Sequence, residues 1–232
     1  MECSIIDLDS IYLGIYEKGR NAIQNQKEYI DPMIDNLSDT RMGLTVTIRP
    51  CVENQGLEVS ENIERFIKDL AIVEKEQYYY PKEDFHITLL DLIVARKDFK
   101  YTKEQVDACV SVVREAIKGV TPLEIEFRGV VASDAAVLIK GYYQNEFEAL
   151  RQKLRAEIDK SILVHDERYP AKSCHMTVAR FRKRLQNRKE LLEKLSEYKN
   201  SYFGIIKVNK MELVYHNWFD SKKEILEEFY YE

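Results

Sequence analysis

The triplet His-x-Thr occurs twice in this chain, as His86-Ile87-Thr88 and His175-Met176-Thr177. Each copy sits inside a run of apolar and β-favouring residues, Asp84–Leu90 and Ser173–Ala179, and such runs read as strands. Side chains on a strand alternate faces, so residues two apart project together, about 7 Å from one another. His86 therefore points with Thr88, and His175 with Thr177. The chain holds 4 histidines, and this spacing accounts for two of them. A fold that brings both strands to one cleft places a base, an acid and two hydroxyl donors there. That is a metal-free set for breaking a phosphoester.

The residues around the motifs suggest a frame. Gly43–Pro50 alternates cleanly, with Leu44, Val46 and Ile48 on one face and Thr45, Thr47 and Arg49 on the other, and reads as a first strand. Ser60 is expected to cap a helix carrying Ile63, Phe66, Ile67 and Leu70. Tyr78–Tyr80 and Pro81 lead into the first motif strand, about 84–94. Thr102 and Gln105 form a capping box for a helix that ends before Gly119. Leu123–Arg128 and Ala136–Ile139 make a hairpin around Ser133-Asp134. Asn145 opens a helix with Phe147, Leu150, Leu154 and Ile158 inward. The second motif strand follows at about 174–181, Asn187 caps a helix, and strand-like runs at 203–216 and 223–231 end the chain. Residues 1–42 read as a helical extension of one or two helices interrupted at Gly14, Gly19 and Pro32. Residues 43–232 form the main domain.

Composition narrows the partner. The chain has 232 residues, 45% of them hydrophobic, and a formal net charge of −5. A surface built to hold long nucleic acid is usually basic, so a small nucleotide or short oligonucleotide held by local positive charge is expected. The four cysteines are scattered singly, the first decapeptide is acidic, and no apolar run reaches membrane-spanning length. The expected setting is cytoplasmic, with reduced thiols and no membrane contact.

Two such motifs, both in strand patterns, resemble the signature of the 2H phosphoesterase superfamily, the LigT-like enzymes. The resemblance covers about residues 43–232. His175-Met-Thr-Val-Ala-Arg180 is similar to the form found in RNA 2′,3′-cyclic phosphodiesterases; His86-Ile-Thr-Leu-Leu-Asp91 departs from it. The resemblance implies an α+β, bilobal fold in which two antiparallel or mixed sheets face a central groove, with helices on the outer faces. It also implies one histidine as general base and the other as general acid, with Thr88 and Thr177 donating to the non-bridging oxygens. No cofactor is called for. Two histidines can ligate zinc, but no third ligand stands at a suitable spacing.

Three further residues are candidates for substrate contact. Strict alternation puts Arg180 on the face opposite His175, whereas the resemblance carries it to the phosphate. Lys172 and Tyr169 precede the second motif and are placed to close over a ligand. Lys172, Arg180, Arg182, Lys183, Arg184, Arg188 and Lys189 form a basic stretch, either a solvated corner or a phosphate-steering rim. Tyr78–Tyr80, Tyr142 and Tyr143 are either core or base-stacking residues, and His165 and His216 read as structural or surface. The expected function is a metal-independent phosphodiesterase acting on a cyclic phosphate or a 2′–5′ linkage. A non-catalytic nucleotide-binding module, a metal-dependent hydrolase and an enzyme that degrades cyclic oligonucleotide signals are the alternatives.

Overall fold

The computed structural model describes residues 7–50, 55–164 and 171–231. In chain order these form helix α1 (Leu8–Gln24), strand β1 (Met42–Ile48), α2 (Gln55–Val73) and β2 (Tyr78–Tyr79). A single 3-10 turn precedes β3 (Ile87–Arg96), then α3 (Lys103–Ile117), β4 (Leu123–Ala132), β5 (Ala136–Tyr143) and α4 (Asn145–Ile158). The chain continues through β6 (Cys174–Arg180), α5 (Arg188–Glu197), β7 (Tyr202–Val208), β8 (Lys210–Asn217) and β9 (Lys223–Tyr230).

The strands lie in the order β7-β4-β5-β6-β3-β1-β8-β9, with β2 also pairing β6, and every pairing is antiparallel. The two expected sheets are thus two four-strand halves, β7-β4-β5-β6 and β3-β1-β8-β9. Their innermost strands carry the two motifs. Among the described residues the halves meet through one register pair, Ile87 opposite Met176.

Alternation sorts the two faces. Leu44, Val46, Ile48, Ile87, Val137, Ile139, Met176 and Leu213 point into the main core, where they meet Val59, Ile63, Phe66 and Leu70 of α2 and Phe147, Leu150 and Leu154 of α4. Thr45, Thr47 and Arg49 take the other face of β1, as the sequence pattern requires. Helix α3 opens with the expected capping box, Thr102 accepting from the Gln105 N–H and Gln105 accepting from the Thr102 N–H. Gly119, just past its end, adopts φ +65°, the left-handed conformation that closes helices at low steric cost.

Three elements differ from the sequence reading. Helix α2 begins at Gln55, and Ser60 lies inside it with its hydroxyl bonded back to the Gly56 carbonyl at 2.8 Å. A serine can satisfy itself that way within a helix as readily as it caps one. The run 203–216 is two strands, broken at Asn209. In the N-terminal region α1 continues through Gly14 and Gly19. A Cβ at Gly19 would stand 2.0 Å from the Ala132 carbonyl oxygen, so the missing side chain lets the helix lie close on β4. Beyond it, Asp31 accepts from the Met33 N–H in a turn around Pro32, and Leu37 is 91% exposed.

Helix α1 reaches the main core only at its C-terminal end, through Ile23. Its Leu8 and Tyr12 form a separate small cluster with Val131, Ala136 and Leu138. Leu138 is the register partner of Thr177, and direct partners share a face. The N-terminal half of α1 is therefore on the side of the sheet that carries the motifs.

Candidate active site

Ile87 and Met176 are both fully buried, and each is the middle residue of its triplet. Their pairing fixes what surrounds them. Antiparallel register runs His86 toward Thr177 and Thr88 toward His175, so each histidine faces the threonine of the other motif. All four side chains leave the sheet on the face opposite the core, and all four are partly exposed. The two histidines are diagonal neighbours, a relation that spans about 7–8 Å.

The surroundings of His86 are acidic. Its Nδ1 is 2.8 Å from the Asp84 carbonyl oxygen. A carbonyl only accepts, so Nδ1 carries a proton and Nε2 is the free nitrogen. Nδ1 is also 3.7 Å from Oδ2 of Asp220, a fully buried carboxylate. Asp220 contacts Nη1 of Arg49 at 2.7 Å and Nδ1 of His216 at 3.0 Å. The His216 and His86 rings lie 6.2 Å apart, nearly perpendicular. Arg49 also reaches Glu212 at 3.0 Å, and Lys223 bridges Asp84 and Asp220. Asp220 holds φ +62° in the turn between β8 and β9, a conformation that aspartate tolerates better than most residues. Burial opposes ionisation of its carboxyl. Hydrogen bonds from His216 and Arg49, with the charges of His86 and Arg49, outweigh burial and hold it well below the usual carboxylate range.

The surroundings of His175 are cationic. Ser173 Oγ lies 2.8 Å from its Nδ1. Burial pushes this imidazole down to about 4, and Arg151, Arg180 and His86 all act in the same direction. Burial also takes His86 to about 4, but there the Asp220 charge opposes it while Arg49 and His216 add to it. The two histidines therefore differ in kind: one has a carboxylate behind it, the other has guanidinium groups around it.

Arg180 joins the site through a feature that strict alternation omits. Leu138 pairs with Thr177 and Val137 with Ala179, which leaves Val178 unpaired as a β-bulge. Ala136 then pairs with Arg180. Because Ala136 and Leu138 share a face of β5, so do Arg180 and Thr177. The guanidinium donates to the Tyr80 hydroxyl at 2.8 Å and lies 5.8 Å from the Trp218 ring and 5.9 Å from that of Phe219. Among the described residues no carboxylate pairs with it.

The other candidates fall elsewhere. Lys172 has an exposed side chain, and its carbonyl accepts from the Tyr143 hydroxyl; no contact joins its ammonium to either histidine. Tyr169 and His165 lie outside the described residues. The rest of the basic stretch is committed to acids: Lys183 to Glu76, Arg182 to Asp35, Arg184 and Arg188 to Glu28, and Lys189 to Glu193. These pairs favour the reading of a solvated corner. Tyr80 is buried, Tyr142 bonds Asp9, and Tyr143 stacks on Phe147. His216, expected to be structural or on the surface, lies beside His86 with Asp220 between them. The sequence offered no period that would link it to the first motif. Among the described residues, no group of three His, Cys, Asp or Glu side chains is placed to hold a metal ion, and no helix is long and apolar enough to cross a membrane.

Residues 59–217 match the 2′-5′ RNA ligase superfamily. No protein of curated function matches the chain. Among solved structures, TT0787 of Thermus thermophilus is 17% identical with a TM-score of 0.57, and the match covers 82% of this chain and 97% of that one. Escherichia coli LigT complexed with 3′-AMP is 14% identical with a TM-score of 0.54, covering 82% and 98%. A protein described as a phosphoesterase is 12% identical with a TM-score of 0.53, covering 82% and 98%.

Proposed function

This chain belongs to the 2′-5′ RNA ligase superfamily, the 2H phosphoesterases, and from that membership we propose that it is a metal-independent phosphodiesterase. Its substrate is a nucleotide or short oligonucleotide carrying a cyclic phosphate or a 2′–5′ linkage. The observation that carries the reading is the register of Ile87 on Met176, which sets His86, Thr88, His175 and Thr177 on one face with each histidine opposite the other threonine.

The surroundings favour one division of roles. His175, among guanidinium groups, is disfavoured as a cation and serves as the base: it takes a proton from the attacking water. His86 has Asp220 behind it to stabilise an imidazolium, and serves as the acid, giving the Nε2 proton to the leaving ribose oxygen. Thr88 and Thr177 donate to the non-bridging oxygens, where negative charge builds, and Arg180 supplies the positive charge. The water attacks opposite the leaving oxygen, which requires acid and base on two sides of phosphorus. Diagonal placement across the β3–β6 junction supports that geometry. The partly exposed Trp218, beside Arg180, offers an aromatic face for a base.

The test is turnover in EDTA of nucleoside 2′,3′-cyclic phosphates, 2′–5′ oligoadenylates and cyclic oligonucleotides, with products identified by mass spectrometry. Chelator-resistant hydrolysis that His86→Ala lowers by roughly 10²–10⁴-fold supports the proposal. Chelator-sensitive hydrolysis restored by zinc, or tight binding without turnover of any of these, overturns it.

A further inference from the structure

Only one backbone pair joins the two halves of the sheet among the described residues, yet the chemistry needs the two motifs at a fixed separation. A single register pair fixes that separation at one point only. Whatever holds β3 to β6 around it decides where His86 stands relative to His175.

Arg151 occupies that place. It lies on α4 and is the largest fully buried side chain, with 0% exposure. Its Nε donates to the Leu89 carbonyl at 2.9 Å, and its Nη2 to the carbonyls of Thr88 at 3.2 Å and Ser173 at 2.8 Å. Thr88 and Leu89 belong to the strand of the first motif; Ser173 precedes the second. A regular strand turns successive carbonyls to opposite sides. Here Val46 pairs with Leu90 and Thr47 with Thr88, so Leu89 is bulged, and the bulge accompanies the turning of two consecutive carbonyls toward one guanidinium. The plane of that group rests on Phe147, its Cζ 4.6 Å from the ring centroid, and Phe147 stacks on Tyr143. Nη1 is 3.9 Å from Glu148 and makes no hydrogen bond. An arginine buried this deeply is costly unless its donors are used, and three of the bonds it makes span the motif strands.

We propose that Arg151 is the positioning residue of the site: its guanidinium ties the strand of the first motif to that of the second and so sets the separation of His86 and His175. The proposal rests on the reading of those histidines as an acid–base pair.

Two variants test this. Arg151→Lys keeps the charge but cannot fork to three carbonyls, and Arg151→Met removes both. Each is measured well below its melting temperature, with kcat and KM determined separately. The expected result is a kcat loss of roughly 10–100-fold in both variants with little change in KM, since misplacement by about 1 Å costs on that order. Wild-type kcat in Arg151→Lys overturns the positioning role, even where the melting temperature falls, and it decides the matter should the Met variant fail to fold. Failure of the acid–base reading itself shows separately, as full turnover by His175→Ala with Arg151 intact.

Discussion

Leu89 and Val178 hold equivalent places: each is the unpaired residue that follows the threonine of its motif, one on β3 and one on β6. With the Ile87–Met176 pair between them, they give the centre of the sheet an approximate two-fold symmetry in which His, middle residue, Thr and bulge recur in order. The consequences of the two bulges differ. At Leu89 the bulge accompanies two carbonyls offered to Arg151; at Val178 it returns Arg180 to the face of Thr177. The symmetry of the backbone thus carries an asymmetry of charge, with Asp220 behind one histidine and arginines around the other.

His86→Ala and His175→Ala should each lower kcat by roughly 10²–10⁴-fold, the usual worth of a positioned proton carrier. The double variant should be little worse than either single one, because acid and base act as a unit. Steady-state kinetics on the best substrate of the screen checks this. Losses that multiply would mean that the two histidines work independently.

The threonines are tested by removing oxygen alone. Valine keeps the shape and the β-preference, so Thr88→Val and Thr177→Val should fold as the parent does. Each should lose about 2.7–4 kcal/mol of transition-state stabilisation if its hydroxyl donates to developing charge. Unchanged kcat/KM in both would leave the threonines as strand residues only.

Asp220→Asn should act on His86 specifically. Loss of the carboxylate removes the charge that favours its imidazolium, so the basic limb of the kcat/KM profile should move to lower pH. The same change leaves Arg49 and His216 without their buried partner and should cost about 3–5 kcal/mol of stability. Glu212→Gln disturbs Arg49 without touching either histidine. A fall in stability with no movement of the limb is expected there, and an equal movement in both variants would argue that Asp220 does not act on His86.

Much of this arrangement was legible beforehand. His86, Thr88, His175 and Thr177 could be placed on common faces because a period of two needs no knowledge of the partner strand. The Thr102–Gln105 capping box is local for the same reason. The bulges were not legible, since an unpaired residue is defined only by what lies across from it; strict alternation therefore sent Arg180 to the wrong face. Asp220 and His216 meet His86 only in the folded chain, more than a hundred residues on, and no spacing along the chain encodes that contact. Arg151 left a trace that went unread. It stands four residues after Phe147 and three before Leu154, on the inward face of α4, where a charge needs a buried partner.

The pH dependence of stability follows from the two histidines and can be measured without any substrate. Their ordinary value is near 6.5, and in the fold burial takes both to about 4. Between those values the unfolded chain binds protons that the native state refuses. Stability then rises with pH across the window, and is progressively lost as pH falls from about 6.5 to 4. Asp220 adds a loss only at more acid pH, because its carboxyl is depressed below the usual range. Urea unfolding at half-unit steps from pH 7.5 to 4 should therefore show a slope that is shallower in His86→Ala and in His175→Ala than in the parent. Bound substrate should act the other way. A phosphate beside both rings favours their charged forms and raises both values, so the limbs of kcat should lie at higher pH than those of kcat/KM. The limbs describe the coupled pair, so a change at His86 moves the basic limb without that limb being the His86 value alone. Parent-like slopes in both alanine variants would show that the histidines titrate as exposed groups, and the environments assigned to them here would fall.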